Sequence, residues 1–204
     1  MGTSVSTRDR ILDEALSLFA SRGVKATTVD DIATAAGLAP RSGAIYRHFP
    51  SKQAILDAAI DAHLSRLESA KTDMRAMLPL GDQRADLTLT ARWALHELRE
   101  ERLLVQIIQR DPESCPALRA RLTESVERGY REMADAIRQQ ADREDLDAEA
   151  IAVAALGALV NYDRAQTTYG IAPCDIDEDR LVQAWVSMVT NTLTAAPSTP
   201  KRRP

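Results

Sequence analysis

Residues 28–52 read Thr-Val-Asp-Asp-Ile-Ala-Thr-Ala-Ala-Gly-Leu-Ala-Pro-Arg-Ser-Gly-Ala-Ile-Tyr-Arg-His-Phe-Pro-Ser-Lys, and this stretch decides the fold. Thr28 suits a helix N-cap, because its hydroxyl accepts a free backbone N–H, and Asp30 and Asp31 suit the positive end of the helix that follows. Val29, Ile32, Ala33 and Ala36 fall on one inward face at helical spacing. Gly37 comes just after the last apolar position, where a left-handed residue ends a helix at least cost. The chain must turn through Leu38 and Ala39 and begin a second helix almost at once. Ile45 and Phe49 point inward there, while Arg41, Ser42, Ala44, Arg47 and His48 are left outside. Pro50-Ser51-Lys52 closes the pattern and caps the next helix. Two short helices around a tight turn make a helix-turn-helix, whose second helix enters a DNA major groove while the first lies across the backbone.

Working outward, Ile11, Leu12, Ala15, Leu16, Leu18 and Phe19 form a wide apolar stripe before Gly23, so a supporting helix precedes the motif and completes a three-helix head. Downstream, Ile55, Ala58, Ala59, Ala62, Leu64 and Leu67 continue a stripe with no linker after Ser51. Further helices are expected around 86–101, 103–108, 117–140 and 147–160, and through Leu181 to Leu193. Asp111-Pro112 and Cys115-Pro116 mark a connection between two of them. Strand-type alternation is not evident. The expectation is an all-α protein of about nine helices: a helix-turn-helix head over 1–52, a helical effector-binding and dimerisation domain over 53–196, and a disordered basic tail over 197–204.

A chain of 204 residues with 45% apolar content supports a substantial core. The segment 1–10 is polar, and the longest apolar run, 150–160, is about half of what a bilayer needs, so a cytoplasmic protein without membrane attachment is expected. Cys115 and Cys174 are isolated and lack metal-ligand spacing, which favours free thiols and no metal. The net charge of −4 is unevenly divided, with +2 over residues 1–52 and −6 beyond. A local cluster of cations is enough for phosphate binding, so the acidic average does not exclude a nucleic-acid partner. An enzyme is disfavoured, because three scattered histidines, His48, His63 and His96, no Cys-His pairing and no Gly-rich phosphate loop leave no assembled catalytic site.

The head resembles the TetR family of bacterial transcriptional regulators. The resemblance is carried by Arg10-Ile11-Leu12-Asp13-Glu14-Ala15 with Phe19 and Gly23, by Thr28-Val29-Asp30-Asp31-Ile32-Ala33 and Ala36-Gly37, and by Tyr46-Arg47-His48-Phe49-Pro50-Ser51-Lys52. It implies that a hydroxyl at Thr27 or Thr28, together with Tyr46 and Lys52, holds phosphates, while Arg41, Ser42, Gly43, Ala44, Arg47 and His48 lie on or beside the reading helix. Phosphate contacts position such a head and base contacts choose the sequence. Tyr46 also has the plain reading of a core cover, His48 that of a packed residue and Arg47 that of a solvated charge. Gly37 and Tyr46 stand nine apart, two more than the family spacing, with Ala39 and Ala44 where the family has hydroxyls. Either Pro40 opens a longer reading helix and Arg41 reaches a guanine edge, or Ser42 is the cap and Arg41 lies over the backbone.

The resemblance implies a repressor that binds a palindromic operator in double-stranded DNA as a homodimer and is released by a small molecule, without a cofactor. Trp93, His96, Tyr130, Met133, Tyr162, Asp163, Arg164 and Gln166 are candidates for the effector pocket, against the plainer reading of core and surface. Ala155, Leu159, Tyr162, Trp185, Met188 and Val189 are candidates for a four-helix dimer contact, against an intramolecular core. An architectural DNA-binding protein without an effector is the alternative.

Overall fold

The computed structural model describes residues 6–39, 43–141 and 145–194. Among them the chain forms seven α-helices and two short 3-10 turns: α1 (Thr7–Arg22), α2 (Val29–Ala35), a 3-10 turn (Ala44–Arg47), α3 (Lys52–Ala76), α4 (Gln83–Arg110), α5 (Pro116–Gln140), α6 (Ala148–Tyr169), a 3-10 turn (Pro173–Asp175) and α7 (Glu178–Thr194). The all-α expectation holds. Two expected helices, 86–101 and 103–108, are one continuous helix, because no Gly or Pro lies between Glu101 and Leu103 to stop it. The helix expected after Gly37 differs more, as described below. The tail 197–204 lies outside the described residues.

The chain forms two compact units, 1–73 with 100–122 and 74–99 with 123–204, so that α3, α4 and α5 each contribute to both. The first unit therefore extends past residue 52 and takes a later segment into its core. Ile11, Leu12, Leu16 and Phe19 of α1 bury with Ile32, Ile45, Phe49, Ile55 and Leu56, and Leu104, Ile107, Leu118 and Leu122 join the same cluster. Burying each such side chain is worth about 1.5–3 kcal/mol relative to exposing it.

The second unit is built on Leu87, Leu95, Met133, Ile137, Leu159, Val182, Trp185, Val186, Val189 and Leu193. Asp147 caps α6 by accepting the Ala150 N–H at 3.0 Å, and left-handed Gly170 closes it. The Trp185 indole N–H, which would otherwise be a buried unsatisfied donor, donates to the Ala155 carbonyl at 2.7 Å.

These contacts correct the expected dimer face. Ala155, Leu159, Tyr162, Trp185 and Val189 are buried inside this one chain, and of the six only Met188 is exposed. Their broad apolar stripes satisfy each other across α6 and α7 within the unit. A different set of apolar side chains remains outside: Val153 and Val160 on α6 and Met188 on α7 are 54%, 40% and 46% exposed. Val153 and Val160 are separated by two helical turns, and Gly157 lies between them with open space around its Cβ position.

Candidate nucleic-acid interface

Local sequence determines how α2 begins and ends. The Thr28 hydroxyl accepts the Asp31 N–H at 3.1 Å while the Asp31 carboxylate accepts the Thr28 N–H at 2.8 Å, a reciprocal capping box. The Thr28 hydroxyl also donates to Asp31 at 2.6 Å. These bonds from Thr28, first the side chain and then the backbone, hold the Asp31 carboxyl below its ordinary pKa, with the Arg22 charge adding to the effect. At the other end Gly37 is left-handed at φ 70°, the Gly37 N–H donates to Thr34 O at 3.0 Å and the Leu38 N–H to Ala33 O at 2.8 Å. That pair of bonds is a Schellman closure, and it starts the turn where the sequence places it.

Beyond the turn the expected regular reading helix is replaced. Gly43 is left-handed at φ 67° and precedes a single 3-10 turn, Ala44–Arg47. A left-handed residue cannot lie inside an α-helix, so neither a helix opening at Pro40 nor one capped by Ser42 continues through Gly43. Pro40, Arg41 and Ser42 lie outside the described residues, and so do the expectations placed on Arg41 and Ser42. The 3-10 turn still sorts its side chains as expected. Ile45 and Phe49 are buried, Ala44 is half-buried, and Tyr46, Arg47 and His48 face solvent together, with Tyr46 58% exposed. An aromatic of that exposure is no core cover. The Arg8 guanidinium lies 5.2 Å from the centroid of the Phe49 ring, which brings another cation to the same part of the head.

Two expected phosphate ligands have structural work instead. Thr27 is fully buried, and its hydroxyl donates to Gly23 O at 2.8 Å, so it cannot meet an outside phosphate; its neighbour Thr28 is the exposed hydroxyl. The Lys52 ammonium donates to Val24 O at 2.7 Å and Thr27 O at 2.9 Å. It lies at the unfavourable end of the α3 dipole, and these two carbonyls offset that cost. Lys52 therefore clamps the loop between α1 and α2.

The other half of the clamp was not found from sequence. The Asp111 carboxylate, buried, accepts the Val24 N–H at 2.5 Å. Gly23 makes room for it: φ is +91°, and a Cβ there would lie 2.7 Å from Asp111 Oδ2. The Gly23 position was legible as the end of α1, but the carboxylate it makes room for reaches Val24 from 87 residues further along the chain.

In the second unit the expected effector residues are largely engaged with one another or with the core. The Tyr162 hydroxyl donates to Ile176 O at 2.9 Å. Burial, then the charges of Glu178 and Asp177, push the Tyr162 phenol above its ordinary pKa. Gln166 stands next to the same phenol, and Asp163, mostly buried, stands 3.9 Å from Arg99 Nε, whose Nη2 donates to Glu178 at 2.5 Å. Met133 is core, Tyr130 is half-buried, and His96 is exposed. Trp93 and His96 meet in a tilted ring contact, centroids 5.4 Å apart and planes at 57°, and the buried Trp93 indole N–H has no hydrogen-bond partner among the described residues.

Comparisons with known proteins fit the geometry of the head. Residues 11–59 match the model described as bacterial regulatory proteins, tetR family. The chain is 48% identical over 60 residues to the transcriptional repressor KstR2 of Rhodococcus jostii, covering 29% of this chain and 28% of that one. It is 34% identical over 108 residues to the transcriptional regulator AcrR of Shigella flexneri, covering 50% and 47%. The matches thus span between about a quarter and half of these relatives' length. In fold the chain is similar to a TetR-like transcriptional regulator from Rhodococcus sp. RHA1, with TM-score 0.65, 20% identity and coverage of 96% and 100%. It is also similar to the fatty acid degradation regulator FadR from Bacillus halodurans, with TM-score 0.58, 18% identity and coverage of 97% and 100%.

Proposed function

We propose, for a chain that belongs through its N-terminal domain to the tetR family of bacterial regulatory proteins, the role of a DNA-binding transcriptional repressor rather than an enzyme. The single observation that carries the reading is the solvent-facing trio Tyr46, Arg47 and His48, on and just past a 3-10 turn anchored by buried Ile45 and Phe49, downstream of the Schellman turn of α2. A phenol, a guanidinium and an imidazole displayed side by side suit phosphate and base edges, and none of the three is used by the core. Thr28, the N-cap of α2, adds an exposed side chain whose hydroxyl donates to Asp31.

The operator is a double-stranded, near-palindromic site bound by a homodimer, because one head of this size contacts a single half-site. The second subunit packs on the exposed stripe of Val153, Gly157, Val160 and Met188, in place of the buried residues first expected there. A small molecule releases the operator, and the unpartnered Trp93 indole beside His96 is the polar group that supports an effector site in the helical body. The test is selection of bound duplexes from a random pool, followed by binding at graded salt. Inverted repeats are the expected product. Arg47→Ala is expected to weaken binding and lower the salt slope by about one ion. A pool without enrichment overturns the reading.

A further inference from the structure

Inside the first unit, the outer face of early α3 and the first turn of α5 enclose a cleft of about 300 Å³. Its floor is apolar, from Ile60 and Leu118, and the buried Cys115 thiol lies in its wall. Its polar lining combines two carboxylates, an amide, a hydroxyl and one guanidinium. Asp57 is exposed, and its Oδ1 accepts the Gln53 amide N–H at 2.9 Å, which leaves the Gln53 carbonyl oxygen available; Ser114 also lines the cleft. Asp61 and Arg121 neutralise each other, Nη1 to Oδ1 at 2.5 Å. Among the described residues no cation pairs with Asp57, so the charge left unbalanced in the cleft is negative. The wall senses it: burial first, then Asp111 and Asp57, push the Cys115 thiol above its ordinary pKa. The positive end of α5 opposes this with about half a charge, less than one carboxylate.

We infer that this cleft is a binding site for a small primary ammonium ligand with a compact apolar body. An –NH3+ group carries three donors and no acceptor, which matches Asp57, Gln53 Oε1 and Ser114 Oγ, while the apolar body covers Ile60 and Leu118. The position of the cleft gives it a consequence. One wall begins one residue after Lys52 and the other three residues after Asp111, the two side chains that clamp Val24 in the loop ahead of α2. Ligand between those walls bears on the clamp and so on the placement of the head. The effect on DNA rests on the function proposed above; the binding does not.

The test uses the full chain and 2-phenylethylamine, with 2-phenylethanol as a neutral probe of the same shape, followed by methyl NMR of Ile60 and Leu118 and by the Val24 amide resonance. The amine is expected to shift both methyl groups along a saturable curve, at least about tenfold tighter than the alcohol. Asp57→Asn, a change at an exposed carboxylate, is expected to erase that difference. Equal binding of amine and alcohol overturns the ammonium site, as does the absence of methyl shifts with either; both readouts stand in wild-type protein if the variant folds poorly. A Val24 amide that stays put while the methyl groups saturate overturns the coupling. No DNA enters these measurements, so their failure is separable from failure to find an operator.

Discussion

At the residue scale the most demanding position is Gly23. Its left-handed backbone and the 2.7 Å approach of Asp111 Oδ2 to the missing Cβ are independent reasons for glycine. Gly23→Ala is expected to cost about 1–3 kcal/mol, read as a lower urea midpoint with unchanged slope. Asp111→Ala leaves the Val24 N–H buried without its acceptor and is expected to cost about 1–3 kcal/mol. The two changes remove one shared contact, so their double variant is expected to lose less than the sum. Asp31 makes a prediction in pH. Its folded pKa is lowered, so its contribution is full above the unfolded carboxylate value, near 4, and disappears as pH falls through the lower folded value. Asp31→Asn is expected to flatten that part of the stability profile, and identical acid profiles for variant and wild type refute the capping role.

At the element scale, what could be read in the sequence was what is local. The start of α2 follows from Thr28 and Asp31, three residues apart, and its end from Gly37, because capping involves only neighbours along the chain. The buried pair Ile45 and Phe49 was legible because two apolar residues four apart share a face at α-helical spacing, and both stay buried although Phe49 lies past the 3-10 turn. The form of the reading element was not legible: nothing in apolar spacing separates an α-helix from a left-handed glycine followed by a 3-10 turn. Lys52 shows a second limit. A cation at a helix start has two possible anionic partners, a phosphate or the chain's own carbonyls, and only the fold shows Val24 O and Thr27 O in reach. Lys52→Met, which keeps the stem, is expected to lower stability by about 1.5–3 kcal/mol. The same loss appears without DNA in the sample, which distinguishes a clamp from a phosphate ligand.

At the scale of the whole molecule the broad stripes of α6 and α7 fooled periodicity, because an inward face and a face shared with a partner carry the same residues. Burial separates them: Trp185 and Leu159 are inside, Val153 and Met188 outside. For the homodimer proposed above, Met188→Glu is expected to give a monomer in light scattering and to abolish the proposed preference for inverted repeats, with thermal stability of the monomer little changed. Trp185→Ala is expected to behave differently, costing about 3–5 kcal/mol through a core cavity and a lost indole hydrogen bond whatever the oligomeric state. A monomeric but fully stable Trp185→Ala protein contradicts this division.

The first unit is not contiguous in the chain, since Leu104, Ile107, Leu118 and Leu122 return from beyond residue 100 to finish a core begun by α1. Recombination with a single crossover near residue 73 would therefore graft a foreign head onto mismatched packing from its recipient. A chimaera that carries 100–122 along with 1–73 is expected to keep the parental urea midpoint, and one crossed only at residue 73 to fall below it.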